Sequence, residues 1–116
     1  MSGILLVVTN LPDATTAQLL ARQIIESGAA ACVNQLAPCI STYRWHDKIE
    51  TSGEVPLLIK TTTAAYPRLE ALIRASHPYE LPEIIAIPVS AGLPAYLDWV
   101  DQETSCINPK TNPCKE

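Results

Sequence analysis

The sequence predicts an α+β fold. Three observations carry that expectation. The runs Ile4-Leu5-Leu6-Val7-Val8, Leu57-Leu58-Ile59 and Ile84-Ile85-Ala86-Ile87 are apolar without alternation, as buried strands are. Two stretches between them carry apolar residues at helical spacing. The elements then follow as strand, helix, strand, strand, helix, strand and a last helix. Two right-handed crossovers joined by a hairpin satisfy that order, which gives a ferredoxin-like βαββαβ sandwich with an extra C-terminal helix.

Residues 4–9 form the first strand, and Leu11-Pro12-Asp13 turns the chain. Asp13 suits the N-cap of a helix that runs to residue 27, where Gly28 stops it. Ala17, Leu20, Ala21, Ile24 and Ile25 make its apolar stripe. Residues 31–36 read as extended. Residues 39–45 alternate, with Tyr43 and Trp45 on one face and Arg44 on the other. His46-Asp47-Lys48 is a turn. The return strand, residues 49–62, is expected to break near Ser52-Gly53, and Pro56 calls for an edge or a bulge. Thr63 can cap a second helix over residues 64–76, with Pro67 in its first turn and Ala65, Leu69, Leu72 and Ile73 inward. A strand follows over residues 83–89. Gly92-Leu93-Pro94 opens a third helix to residue 103, with Pro94 at its first position and Leu97 and Val100 on one side. Residues 1–103 thus make one domain, and the polar residues 104–116 are expected to be a poorly ordered tail.

The chain has 116 residues, enough for one domain that folds without staples. Hydrophobic residues make up 47% and there is no Phe, so the core is aliphatic. The net charge of −4, with Lys and Arg scattered, argues against nucleic acid or an anionic membrane as the main partner. No apolar run approaches the roughly 20 residues of a spanning helix. The apolar start lacks a basic leader and reads as a strand, not a signal peptide, which points to the cytoplasm. Cys32, Cys39, Cys106 and Cys114 form no CxxC pair and are expected to be reduced.

Strands covered on one side alternate apolar and polar; these do not. Two helices cover one face of the sheet, and the third is too short for the whole of the other. Further copies of the chain are expected to cover the rest. The alternative is a monomer covered by its third helix and tail.

The run Ser76-His77-Pro78-Tyr79-Glu80-Leu81-Pro82-Glu83 packs an imidazole, a phenol, two carboxylates and two prolines into a stiff loop before a strand. Together with Ala30-Ala31-Cys32-Val33-Asn34, Tyr43-Arg44-Trp45, Leu58-Ile59-Lys60-Thr61-Thr62 and Pro94-Ala95-Tyr96-Leu97-Asp98-Trp99, it resembles the CutA family of divalent-cation tolerance proteins. The resemblance spans residues 4–100, with the motifs in order. It implies a homotrimer whose sheets pack edge to edge about a three-fold axis, and a long bent hairpin over residues 39–62 reaching toward a neighbour. It also implies a link to copper and other heavy-metal tolerance, and no established reaction. Some members bind copper through a first-strand Cys and a His of the HPY motif. Here Thr9 stands at that Cys and Ser76 at a second His, so His77 is what remains of the set.

His77 is a candidate ligand for Cu(II) or another divalent ion, with Glu80, Glu83 or the soft Cys32 beside it. It can instead hydrogen-bond backbone and hold its loop. Cys32 can equally be a small buried hydrophobe. Cys106 and Cys114 can grip Cu(I), oxidise to each other, or simply be solvated; His46 is expected to be exposed on its turn. Tyr43, Trp45, Lys60, Tyr79, Tyr96 and Trp99 form the last set, with Glu83 nearby. The resemblance places several of them around a cleft between subunits, where they suit a small polar ligand or act as interface anchors. No nucleophile has a base beside it and no catalytic motif occurs, so no enzyme is expected. Two functions stand at this point. One is a trimeric tolerance protein that binds metal weakly through His77 with Cys32 or Glu83. The other is a regulatory or scaffold trimer, similar in form to the PII signalling proteins, that takes a small molecule or protein partner in the cleft without metal.

Overall fold

The structure, a computed structural model, describes residues 3–105. Its elements are β1 (Ile4–Leu11), α1 (Ala14–Ser27), β2 (Cys32–Gln35), β3 (Cys39–Trp45), β4 (Lys48–Thr62), α2 (Tyr66–Ser76), β5 (Ile85–Pro88) and α3 (Pro94–Thr104). The sheet runs β2-β4-β1-β5, and β3 pairs with the outer part of β4. This is the predicted ferredoxin-like sandwich with an added helix; its second strand is split into β2 and β3. Of the tail expected over residues 104–116, Thr104 is instead the buried last residue of α3, and the part from Cys106 onward lies outside the described residues.

The ends of α1 are where its caps put them. Asp13 is extended and its carboxylate accepts from Thr16 N at 2.8 Å, an interaction that lowers its pKa. Gly28 turns left-handed at φ 76°, where a Cβ is costly. Its N–H donates to Ile25 O at 3.1 Å and that of Ala29 to Ile24 O at 3.3 Å, the Schellman pattern. Helix α2 differs from expectation at its start. Thr62 Oγ1, not Thr63, accepts from Ala65 N at 3.1 Å, while Thr63 Oγ1 donates to Gly3 O. Thr63 is spoken for because Gly3 closes the end of the β1–β4 ladder against it.

Strand β1 runs two residues further than predicted, since Leu11 pairs with Val55 and is fully buried. Strand β4 does not break at Ser52-Gly53: Ser41 and Ile40 of β3 pair with those two residues. Pro56 lies in a central strand, at the point where the partner of β4 changes from β3 to β2. Its carbonyl accepts from Leu36 N at 3.0 Å, so its missing N–H falls in the gap between the two. At the hairpin tip His46 and Asp47 both take positive φ (51° and 65°), which makes a two-residue turn between Trp45 and Lys48.

The two faces of the sheet are covered unequally. Val7, Thr9 and Leu11 of β1 lie beside Ile59, Leu57 and Val55 of β4. That face is buried under Ala17, Leu20 and Ile24 of α1 and Leu69 and Ile73 of α2. Ile25, placed by its spacing on the inward stripe, is 42% exposed. On the opposite face α3 covers the end at Ile4 and Thr62, with Val100 and Thr104 buried there. Arg68 fastens that helix by donating to Thr104 O at 3.1 Å. The rest of this face stays open. Leu6, Val8 and Leu58 are half-buried, and Ile85 and Ile87 are 50% and 47% exposed.

Thr9 Oγ1 is buried on the helix side without a hydrogen-bond partner among the described residues. A buried hydroxyl without a partner is costly. Thr9→Val, which keeps the shape, should raise unfolding stability by about 1 kcal/mol in a denaturant melt. A loss of stability would mean that the hydroxyl has a partner.

Candidate functional site

The loop after α2 is built around His77. Its backbone N–H closes α2 on Ile73 O at 2.8 Å, and its side chain is 9% exposed. Tyr79 N donates to Nδ1 at 3.2 Å, so the ring proton sits on Nε2, which donates to Asn10 O at 2.7 Å. Both ring nitrogens are therefore engaged. Asn10 Nδ2 in turn donates to Glu83 Oε1 at 3.0 Å. One residue at the end of β1 thus holds both ends of the proline-stiffened loop.

Tyr79 stacks on His77 at 4.8 Å and points its hydroxyl at Glu54 of β4. Burial first, then the Glu54 hydrogen bond and charge, push its pKa up to about 12, with Tyr43 and Asp13 adding to it. Tyr43 bonds Ser52 across the hairpin at 3.2 Å. Asn10 and Glu54 were not singled out from sequence. The one available signal was a polar residue ending an apolar strand.

A second cluster lies on the open face. The register aligns Cys32, Lys60, Leu6 and Ile87 in one row and Asn34, Leu58, Val8 and Ile85 in the next. The β1–β5 side of these rows is apolar and the β2 side polar. Lys60 Nζ donates to Asn34 Oδ1 and lies 3.9 Å from Cys32 Sγ. Tyr96 of α3 reaches the Cys32 thiol, and burial raises its pKa. Its ring is 5.6 Å from that of Trp99.

His77 and Glu83 thus meet at Asn10, while Cys32 sits with Lys60 in the other cluster. No group of three or more His, Cys, Asp or Glu side chains is placed to hold a metal among the described residues. The expected cleft residues fall into three places in one chain. Tyr79 lies by Glu54 at the hairpin base with Tyr43 further out on β3, Lys60, Tyr96 and Trp99 on the open face, and Trp45 at the hairpin tip against His46, 4.8 Å between rings. Cys39 is exposed; Cys106 and Cys114 lie outside the described residues.

Residues 5–103 match the family described as CutA1 divalent ion tolerance protein. The chain belongs to the CutA1 family. It is 40% identical to the divalent-cation tolerance protein CutA of Thermus thermophilus over 98 residues, 84% of this chain and 95% of that one. With protein CutA of Mus musculus it shares 42% over 97 residues, 84% of this chain; it spans 55% of the mouse protein. The crystal structure of CutA from Xylella fastidiosa is 43% identical, with a TM-score of 0.86 over 89% of this chain and 99% of that one. A CutA structure from Archaeoglobus fulgidus, 31% identical with a TM-score of 0.85 over 88% and 99%, is described as periplasmic. No helix among the described residues of this CutA1 chain is long and apolar enough to cross a membrane.

Tyr79 gives a pH signature, set by its burial first and by the Glu54 carboxylate second. The folded pKa of about 12 exceeds the ordinary value of 10.0, so the stabilisation is complete below pH 10 and fades as pH rises to about 12. Denaturant melts should show the wild type losing more stability than Tyr79→Phe over that window. Parallel curves for the two proteins would mean that folding leaves the Tyr79 pKa where it is in the unfolded chain.

Proposed function

We propose that this chain serves divalent-cation tolerance as a homotrimer and binds copper or another divalent ion weakly. The observation that carries the assembly is the open apolar strip of Leu6, Val8, Leu58, Ile85 and Ile87. A strip of aliphatic side chains along a sheet and its edge strand marks a surface meant for another protein surface. The number three comes from the motif resemblance.

For metal, the proposed donors are His77 with Glu83 or Cys32. To coordinate through either nitrogen, His77 gives up its bond to Tyr79 N–H or to Asn10 O. That exchange supports weak rather than tight binding. Cys32 joins only if another copy brings it to His77. A cytoplasmic location belongs to the same proposal and rests on the expectation that the cysteines are reduced thiols. A role without catalysis is proposed from the family's description as an ion tolerance protein.

A second reading is favoured by the same His77 geometry: a PII-like regulatory or scaffold trimer that takes a small molecule or protein partner in the intersubunit cleft without metal. In that reading neighbouring copies complete the set Tyr43, Trp45, Lys60, Tyr79, Tyr96 and Trp99, of which one chain keeps Lys60, Tyr96 and Trp99 on its open face.

Sedimentation at low micromolar concentration should give a species three times the 12.6 kDa chain. A stably folded single chain overturns the assembly. Copper titration by calorimetry should show weak binding that His77→Ala reduces about tenfold or more, with the fold checked by circular dichroism. An unchanged isotherm removes His77 from the site. No binding in the wild type leaves the metal-free reading.

A further inference from the structure

We propose that Lys60, Asn34 and Tyr96 form a site for a small multi-oxygen anion, a phosphate or carboxylate compound. This rests on the reading that other copies cover the open face, and it names the ligand class for the cleft.

Lys60 projects from that face at the border of its aliphatic rows, between Cys32 on one side and Leu6 on the other. It is half-buried, and no carboxylate lies within 4.0 Å of its ammonium among the described residues. Its contacts are a neutral amide oxygen and a thiol, which use two of three N–H donors. Once the apolar rows beside it are covered, this charge leaves water with nothing to neutralise it. An unpaired buried charge is the most expensive group a fold can carry, so an anion must arrive with the cover.

Two observations favour a ligand over a carboxylate of another copy. The first is donor count. Asn34 turns Oδ1 to Lys60, which leaves its NH2 without a partner among the described residues, and Tyr96 brings its phenol to the same thiol that Lys60 approaches. Ammonium, amide and phenol offer more donors than one carboxylate absorbs, and they suit an anion with three or more oxygens. The second is that Glu54 and Glu83, the carboxylates of the neighbouring cluster, are already held by Tyr79 and Asn10.

The test is an NMR titration of the Asn34 side-chain and backbone amides. Inorganic phosphate and citrate are the separate probes, at ionic strength fixed with sodium chloride. The variants are Lys60→Met and Lys60→Gln, and sedimentation is run on every sample. Saturable shifts with at least one probe are expected in the wild type, about tenfold weaker in both variants at unchanged mass. Which probe saturates tells phosphate from carboxylate. The inference fails if neither probe saturates, or if the variants bind as well as the wild type. It also fails if the variants fall to single chains while the wild type ignores both anions, since a second copy then supplies the counter-charge and the assembly reading survives. A wild type that sediments as one chain ends the assembly reading and this inference with it.

Discussion

A sheet whose central strands are apolar on both faces has to be covered twice. In this chain the first cover is complete over the middle of β1 and β4. Helices α1 and α2 seal Val7, Leu11, Val55, Leu57 and Ile59 from water. The second is partial. Helix α3 protects the end of the sheet at Ile4 and Thr62, and Arg68 ties that helix down; Leu6, Val8 and Leu58 stay half-buried and the β5 isoleucines about half exposed. Each such isoleucine forgoes about 1 kcal/mol that burial would return. The chain keeps this face apolar even so, which makes sense only if something else completes it. Strand β5 adds to the argument, because it is both the edge of the sheet and exposed on both sides.

The loop beginning at His77 shows how a polar segment is kept rigid beside such a sheet. Pro78 and Pro82 limit its backbone, and Asn10 anchors it twice, through its carbonyl to the imidazole and through its amide to Glu83. A histidine with both nitrogens bonded is a structural strut first. Any ligand role for it competes with those bonds, so the loop trades order for coordination. Tyr79 carries the same order onward to Glu54 and so to the base of the hairpin.

What the sequence made legible follows from range. The bounds of α1 were readable because Asp13 and Gly28 cap it within one turn of themselves. The tip at His46 and Asp47 was readable for the same reason. The start of α2 came two residues later than expected, at Tyr66 and not at residue 64. Thr62 and Thr63 are equal candidates by chemistry, and Gly3, sixty positions away, decides between them. The supposed break at Ser52-Gly53 vanished because β3 supplies the missing ladder. Asn10 and Glu54 stayed hidden, since their roles exist only once β1, β4 and the loop are in register. Cys32 and His77, paired as donors by residue type alone, lie in separate clusters of the fold.

The positions of the polar groups obey one further rule. Along β1 the residues are apolar on both faces from Ile4 to Val8, and then Thr9 and Asn10 turn polar on both at once. Across the sheet the rows change from aliphatic to polar between Leu6 and Lys60 and again toward Asn34. Desolvation explains the pattern: a polar group at the centre of a face to be covered loses its water with nothing in exchange, whereas one at the margin meets whatever borders the cover. Both clusters therefore mark the perimeter of the surface that a neighbour would occupy. The polar groups of the open face thus border its aliphatic rows and do not interrupt them.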